Sequence, residues 1–462
     1  MSATASDEFF AAMLLRRTAG LAFALMCAAA TGSLTARADA SPVHVRRGPY
    51  LQALSSRSVQ VRAEFDVASP ATLTLTPAAP GDAAAPLTVR DPEPRALHVL
   101  SAAGLTPATR YTYALTAGAS TFTGELTTAP NADSRDPFTF LLYGDDRTDE
   151  AGHASVVKAM RAAPSDFLIN TGDLVASGGS ESDWQSFFDV ESPLLKDRCV
   201  FACIGNHELI DGTGETYLKY FGPTFDAVGE GEPPKLYGSF RWADARFFLL
   251  DAMESFGEGP ERNWIDDELA RAEREPGLVW RIVVMHHGPW SAGPHGGNPR
   301  AIRAALPDLF SRHHVDLVVA GHDHIYERGF ASGLRYLISG GGGAPVYPVD
   351  GPLPSTRKVE SVRHFVSMTV KPESVTLVAQ RDDGSLLDRC SFTKSRADWD
   401  CDPVAGAGAI TPAQATAPLS RASSAKCACD TVGKPSRGGA SILLGPLVVF
   451  LAFVARRRGN GN

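Results

Sequence analysis

Apolar and polar positions follow different rules in different parts of the chain. Residues 44–130 lack helical periodicity and show short alternating runs instead. In Ser58–Asp66 the residues Val59, Val61, Ala63 and Phe65 fall on one face. Ala71–Thr76, Arg110–Thr116 and Thr121–Thr127 alternate too, with Pro and Gly between them. This pattern predicts an all-β sandwich. From Pro137 onward, apolar strands alternate with amphipathic stretches. Strands are expected at Phe138–Tyr143, Phe167–Asn170, Cys199–Ile204, Phe247–Leu250, Ile282–Met285 and Asp316–Ala320, and helices at His153–Ala162, Glu261–Arg274 and Pro299–Arg312. The alternation predicts an α/β domain over residues 135–395, with mixed sheets flanked by helices.

The two ends follow a third pattern. Arg16 and Arg17 precede the apolar run Leu21–Leu34 and the small residues around Ala38, which reads residues 1–40 as an export signal. Residues 402–426 are rich in Ala, Pro, Gly and Ser and read as a flexible spacer. In residues 427–462, Cys427-Ala428-Cys429 is followed by the apolar run Ser441–Ala455 and by Arg456, Arg457 and Arg458. That run is shorter than the ~20 residues of a spanning helix. A plain membrane anchor is one reading of it. Both ends place the protein outside the cytoplasm.

Composition adds limits. The 462 residues are 44% hydrophobic and 21% charged, as in ordinary globular chains. A net charge of −8 argues against a broad nucleic-acid-binding surface. Seven cysteines exclude a disulfide-dense scaffold. Cys390 and Cys401 flank a short polar loop, where export makes a disulfide plausible. Cys199 and Cys203 lie four apart on one expected strand, too far to bond, and are expected to be buried thiols.

The chemistry sits where the expected strands stop. They deliver Gly144-Asp145-Asp146-Arg147, Gly172-Asp173, Gly205-Asn206-His207-Glu208, His286-His287 and Gly321-His322-Asp323-His324. Ligands of α/β sheets bind beyond the carboxyl ends of strands, so these clusters are expected to line one cavity. Mixed Asp, Asn and His donors suit Fe, Mn or Zn better than Ca or Mg. The donors are too many for one open ion, and two ions sharing a carboxylate fit phosphoryl transfer.

The ordered set GD, GD, GNHE, VxxH and GHxH resembles that of the calcineurin-like metallophosphoesterases. The upstream β region and the run GHDHIYER are most similar to the purple acid phosphatase branch. Position by position, the resemblance implies that Asp173 bridges two metal ions. Asn206, His286 and His322 complete one site, and Asp145 and His324 serve the other. The family's nucleophile is a metal-bound hydroxide, and the products are phosphate and an alcohol. His207 then protonates the leaving oxygen or holds the phosphate, with Glu208 orienting it, and His295 matches a phosphate-contacting histidine. Two departures stand out. The purple enzymes' tyrosine ligand is replaced by Ala176, which implies a colourless enzyme. The histidine that many relatives carry two residues after the first Asp is replaced by Arg147. The Asp145 site is therefore one ligand short, to be filled by His153, Asp146 or water, and Arg147 is free to contact the substrate phosphate. The stretch Gly104–Tyr113 resembles a corner of fibronectin type III domains, and the C-terminal segment resembles the sorting tails of myxobacterial surface proteins.

The expected protein is thus an extracytoplasmic binuclear-metal phosphoesterase acting on phosphate monoesters. A phosphodiesterase or nucleotide hydrolase with the same metals is the first alternative, and a non-catalytic surface-binding protein the second. The expected partners are a small phosphate ester and, through the tail, the cell surface.

Overall fold

The computed structural model describes residues 42–78, 85–222, 235–251, 253, 256, 259–297, 302–349 and 351–402. The export signal expected over 1–40, the tail over 427–462, and the spacer beyond Asp402 lie outside the described residues.

Residues 45–127 form strands β1 (Val45–Gln52), β2 (Ser58–Pro77), β3 (Leu87–Ala103), β4 (Arg110–Ala117) and β5 (Ser120–Thr127). All five are joined in one hydrogen-bonded antiparallel sheet, which folds over its own apolar face so that Phe65 of β2 stacks on Phe122 of β5 at 5.8 Å. The reason is the length of β2. Its first half pairs with β1 and its second half with β4, while β3 follows it throughout with irregular register between Glu64 and Ala71. Val59, Val61, Ala63 and Phe65 are all buried, as the alternation predicts. The opposite face of this half is not solvated. Arg62 donates to the Tyr220 carbonyl at 2.9 Å, and the Tyr50 hydroxyl donates to the same carbonyl at 2.9 Å.

The α/β region continues with β6 (Phe138–Tyr143), α1 (Glu150–Ala162), β7 (Phe167–Asn170), α2 (Glu181–Leu195), β8 (Val200–Ala202), a 3₁₀ turn (His207–Leu209), α3 (Glu215–Phe221), β9 (Gly238–Trp242) and β10 (Ala245–Leu250). Next come α4 (Pro260–Glu273), β11 (Trp280–Met285), α5 (Ile302–Ala305), α6 (Pro307–Arg312), β12 (Leu317–Ala320), β13 (Tyr326–Ala331), β14 (Leu334–Ser339) and β15 (Thr356–Glu360). The last strands are β16 (His364–Val370), β17 (Val375–Arg381), β18 (Leu386–Phe392) and β19 (Asp400–Cys401). Two sheets of seven strands result, in the orders β19-β18-β17-β16-β6-β7-β8 and β15-β13-β14-β12-β11-β10-β9. Their inner strands run parallel: β6 with β7 and β7 with β8, β10 with β11 and β11 with β12.

The two sheets meet through aromatic side chains. Phe201 stacks on Phe240 with centroids 3.7 Å apart, Phe167 meets Phe240 edge-on at 5.7 Å, and Phe140 meets Phe247 edge-on at 5.2 Å. Apolar runs such as FTFLLY are buried on both faces, one against the facing sheet and one against the helices. Helix α1 starts where the Asp149 carboxylate accepts from Gly152 N, and α2 where the Ser180 hydroxyl accepts from Asp183 N. The helix expected at Pro299–Arg312 is two short helices, because Pro307 has no N–H to continue the first and starts the second. Cys390 and Cys401 form a disulfide, and Cys199 and Cys203 are buried free thiols.

The β region is joined to the α/β region by buried charge. Arg47 on β1 bonds Glu64 on β2, Tyr220 on α3 and, at 2.8 Å, Glu181 on α2. Burial alone would raise the Glu64 carboxyl, but Arg47 and Lys219 outweigh it and hold it below its ordinary value. Its contribution is therefore complete above about pH 4.3, the ordinary glutamate value, and is lost as pH falls through the lower folded value. Arg47→Met leaves Glu64 buried without its main partner and should cost about 3 kcal/mol at pH 7 in urea unfolding. The loss should be much smaller at pH 3; an equal loss at both pH values would refute the assignment.

Candidate metal centre

The parallel strands deliver their polar clusters to one place. Asp145 follows β6, Asp173 follows β7, Asn206 follows β8, His286 follows β11 and His322 follows β12. Three of these residues leave their strands in left-handed backbone conformation: Asp145 (φ 61°), Asp173 (φ 57°) and His322 (φ 70°). Such conformations are uncommon for residues with a side chain and persist where the surroundings over-determine them. At Asp173 those surroundings are visible. The Glu208 carboxylate accepts from Asp173 N (3.0 Å), Gly205 N (2.7 Å) and Val175 N (3.2 Å). Gly205 is itself required, since a Cβ there would lie 2.2 Å from Asp173 Oδ1.

The donor atoms converge. His286 Nε2 lies 3.2 Å from Asp173 Oδ1 and 3.2 Å from Asn206 Oδ1. Two ligands ~2.1 Å from one ion, at right angles, stand ~3.0 Å apart, so this spacing fits a shared ion. His286 Nδ1 donates to the Thr171 carbonyl at 2.9 Å, which turns Nε2 toward the centre. The His322 ring lies 5.2 Å from that of His286, and its Nδ1 is buried with no partner. On the other side, His324 Nδ1 donates to the Pro345 carbonyl at 2.7 Å, and Nε2 lies 3.5 Å from Asp145 Oδ1. The residues present therefore fit metal ions.

The electrostatics sort these groups by charge: burial disfavours charge on His286, but Asp173 outweighs it and raises His286 to about 9. Burial opposes charge on every group here. At Asp173, His286, His207 and Arg147 outweigh burial and hold the carboxyl well below the usual range. At Asp145 burial prevails, helped by repulsion from Asp173, and the carboxyl is pushed up to about 7. Burial and neighbouring His287 and His286 keep His322 well below its ordinary value; burial and Arg147 bring His324 to about 4. Both imidazoles are thus neutral and present lone pairs, the form that binds metal.

Several expected roles change. Arg147 Nε donates to Asp173 Oδ2 at 2.9 Å, and its Nη2 lies 3.3 Å from His324 Nε2. Its charge therefore lies among the donors of the Asp145 side, on the Asp173 carboxylate. Asp146 and His153 do not complete that side; they group with Glu191 in a separate buried cluster. Glu208 does not orient His207. It clamps the Asp173 loop, while the Ala176 carbonyl accepts from His207 Nδ1 at 2.7 Å. That bond turns His207 Nε2 toward Asp173 Oδ2, 3.9 Å away, where it is buried and unpartnered. His295 joins the site: its Nδ1 is 2.7 Å from Asp323 Oδ1, its ring is 4.2 Å from that of His322, and a quarter of its side chain remains exposed. His287 lies closer in than expected, 3.3 Å from Asn206 Oδ1 and with its ring 4.0 Å from that of His322. Tyr347 was not anticipated. It stacks on His324 with centroids 3.9 Å apart, and no motif in its sequence surroundings marks it.

Comparison with known proteins agrees with this geometry. Residues 147–326 match the calcineurin-like phosphoesterase family. An uncharacterised protein of Mycobacterium tuberculosis is 29% identical over 341 residues, covering 64% of this chain and 61% of that protein. Purple acid phosphatase 5 of Arabidopsis thaliana is 27% identical over 252 residues, covering 53% and 58%. The chain thus spans about six-tenths of the length of these relatives. Among solved structures, the purple acid phosphatase PPD1 of yellow lupin (Lupinus luteus) seeds aligns with a TM-score of 0.65 at 16% identity, over 75% of this chain and 74% of that one. PhoD aligns with a TM-score of 0.58 at 12% identity, over 77% and 92%. These two show a shared fold. Five strand-end clusters thus gather on one centre in a chain whose residues 147–326 match the calcineurin-like phosphoesterase family and which has purple acid phosphatases among its relatives and structural neighbours.

Proposed function

We propose that the protein is an exported phosphoesterase that hydrolyses phosphate monoesters of small molecules, with two metal ions sharing Asp173. The observation that carries this reading is His286 Nε2 at 3.2 Å from both Asp173 Oδ1 and Asn206 Oδ1, beside the unpartnered Nδ1 of His322. Bound there, Fe, Mn or Zn ions would polarise phosphoryl oxygens and activate water. The chain's own groups do the rest. His207, held through Nδ1, aims Nε2 into the centre; burial lowers it below its ordinary value, so it carries the Nε2 proton that it would pass to the leaving oxygen only in its acid, imidazolium form. Arg147 keeps a fixed positive charge on Asp173, where it would favour a phosphate oxygen bound beside it. His295 stands at the more open rim. One position has the donors Asp173, Asn206, His286 and His322. The other has Asp145, Asp173 and His324, with Arg147 close by, and would hold an ion less tightly.

Monoester preference is supported by the relatives named as phosphatases, among them an onion (Allium cepa) phosphoenolpyruvate phosphatase that is 32% identical over 160 residues. Export is supported by the N-terminal pattern and by the Cys390–Cys401 disulfide, a bond of oxidising compartments. The non-catalytic reading has no comparable support, because every cluster keeps its chemistry.

Asp173→Asn should lose both ions of the centre, read by elemental analysis, and about three orders of magnitude or more of monoester turnover. Turnover equal to the wild type would sink the proposal, and faster diester than monoester cleavage would move it to phosphodiesterases. Asp145→Asn should lose one ion and keep the other. His207→Gln should keep both ions and lose about 10²-fold in kcat, most with poor leaving groups. The iron-loaded wild type should lack a tyrosinate charge-transfer band, because Ala176 stands where the purple enzymes carry tyrosine; such a band would place Tyr347 on the ion.

A further inference from the structure

Behind the catalytic centre lies a second group of metal-type donors. Asp146 follows β6, His153 lies on α1 and Glu191 on α2. All three are buried, and each offers a donor atom within 4.8 Å of the others'. His153 Nε2 is 2.9 Å from Glu191 Oε1. This is again the spacing of two ligands at ~2.1 Å from one ion.

What needs explaining is the set of oxygens left over. Asn170 Nδ2 donates to Asp146 Oδ2 at 2.5 Å, but Asp146 Oδ1 has no partner. Glu191 Oε2 makes no well-formed bond, and the Tyr143 hydroxyl, which makes none either, faces Glu191 and Asn170. Buried polar atoms are nearly always satisfied, and buried carboxylates are costly unless paired or metal-bound. Here two carboxylates share one imidazole in a closed interior. Phe187 stacks along His153 with centroids 5.9 Å apart, and the backbone of Gly342 closes over Asp146, where a Cβ would lie 2.2 Å from Oδ1.

We propose that Asp146, His153 and Glu191, with the Tyr143 hydroxyl, bind a structural divalent transition-metal ion separate from the catalytic centre. Two carboxylates and an imidazole neutralise and suit Zn, Mn or Fe better than the all-oxygen cations. The site is closed to solvent, as structural metal sites are, and has no position for substrate. Its effect on the catalytic centre is indirect. Asn170 bonds Asp146 through Nδ2 and accepts from Gly172 N at 2.8 Å through Oδ1. The ion therefore ties α1 and α2 to the two loops that present Asp145 and Asp173.

The test is crystallography of the full-length wild type with stoichiometric Zn²⁺, using anomalous difference maps across the zinc edge. A zinc peak among Asp146, His153 and Glu191, apart from any peak at Asp173, is expected. A peak without anomalous signal there is a buried water and overturns the proposal, whatever the catalytic centre holds. A missing peak at Asp173 would instead count against the catalytic reading. In solution, Asp173→Asn/His286→Ala empties the catalytic centre and should retain one ion per chain after dialysis. Adding Glu191→Gln should release it, and Tyr143→Phe should speed its loss to a chelator by ~10-fold. No retained ion in the double variant, or one that survives Glu191→Gln, also overturns the proposal.

Discussion

The structure turns on one buried negative charge. Asp173 is wholly inside the protein, yet its surroundings hold it ionised: His286 and Arg147 face its oxygens, and the backbone N–H of His207 donates to one of them. A carboxylate in such a place is stable only while these partners stay in position. They come from three separate segments, after β6, β8 and β11, so the charge at Asp173 depends on both central sheets being correctly assembled. The reverse also holds. The left-handed backbone at Asp145, Asp173 and His322 costs free energy that the clamp of Glu208 on the Asp173 loop helps to offset.

The same principle explains why the N-terminal sheet is more than a spacer. A free-standing module would show a solvated outer face. Here the outer face of β2 carries Arg62 and Glu64, and their partners are Tyr220 of α3 and Arg47 of β1. Polar groups buried between the two regions must be satisfied across the contact, which fixes the geometry of the contact more narrowly than apolar packing alone. Helices α2 and α3, which receive this load, also flank the turn that carries His207.

How much of the site was legible depended on how local its signals are. Gly-Asp, Gly-Asn-His and Gly-His-x-His are contiguous, and each sits at the end of an apolar run, so residue type and position could be read together. Glu208 was legible as an important acid but not in its partner, because the sequence shows it beside His207 and does not show Gly205, Val175 and Asp173 closing on it. His153 was offered to the wrong group for a similar reason. It follows Asp145 closely along the chain, but it lies on a helix and packs toward Glu191, a residue far away in sequence. Tyr347 reaches His324 from a loop without periodicity, and nothing local marks it.

By itself the sequence determined the α/β alternation, the strands that end in donors, the donor types, the buried thiols and the cysteines that pair. These follow from side-chain period and from chemistry carried within a few residues, which survive without tertiary context. Only the tertiary structure decided that β1 to β5 make one sheet, that Arg147 rests on the Asp173 carboxylate, that Glu208 clamps a loop, and that Asp146, His153 and Glu191 form a cluster of their own. Each of these depends on which distant segments share a few ångströms of dry interior. That is set by the packing of whole sheets and helices and has no signature in any short stretch of the chain.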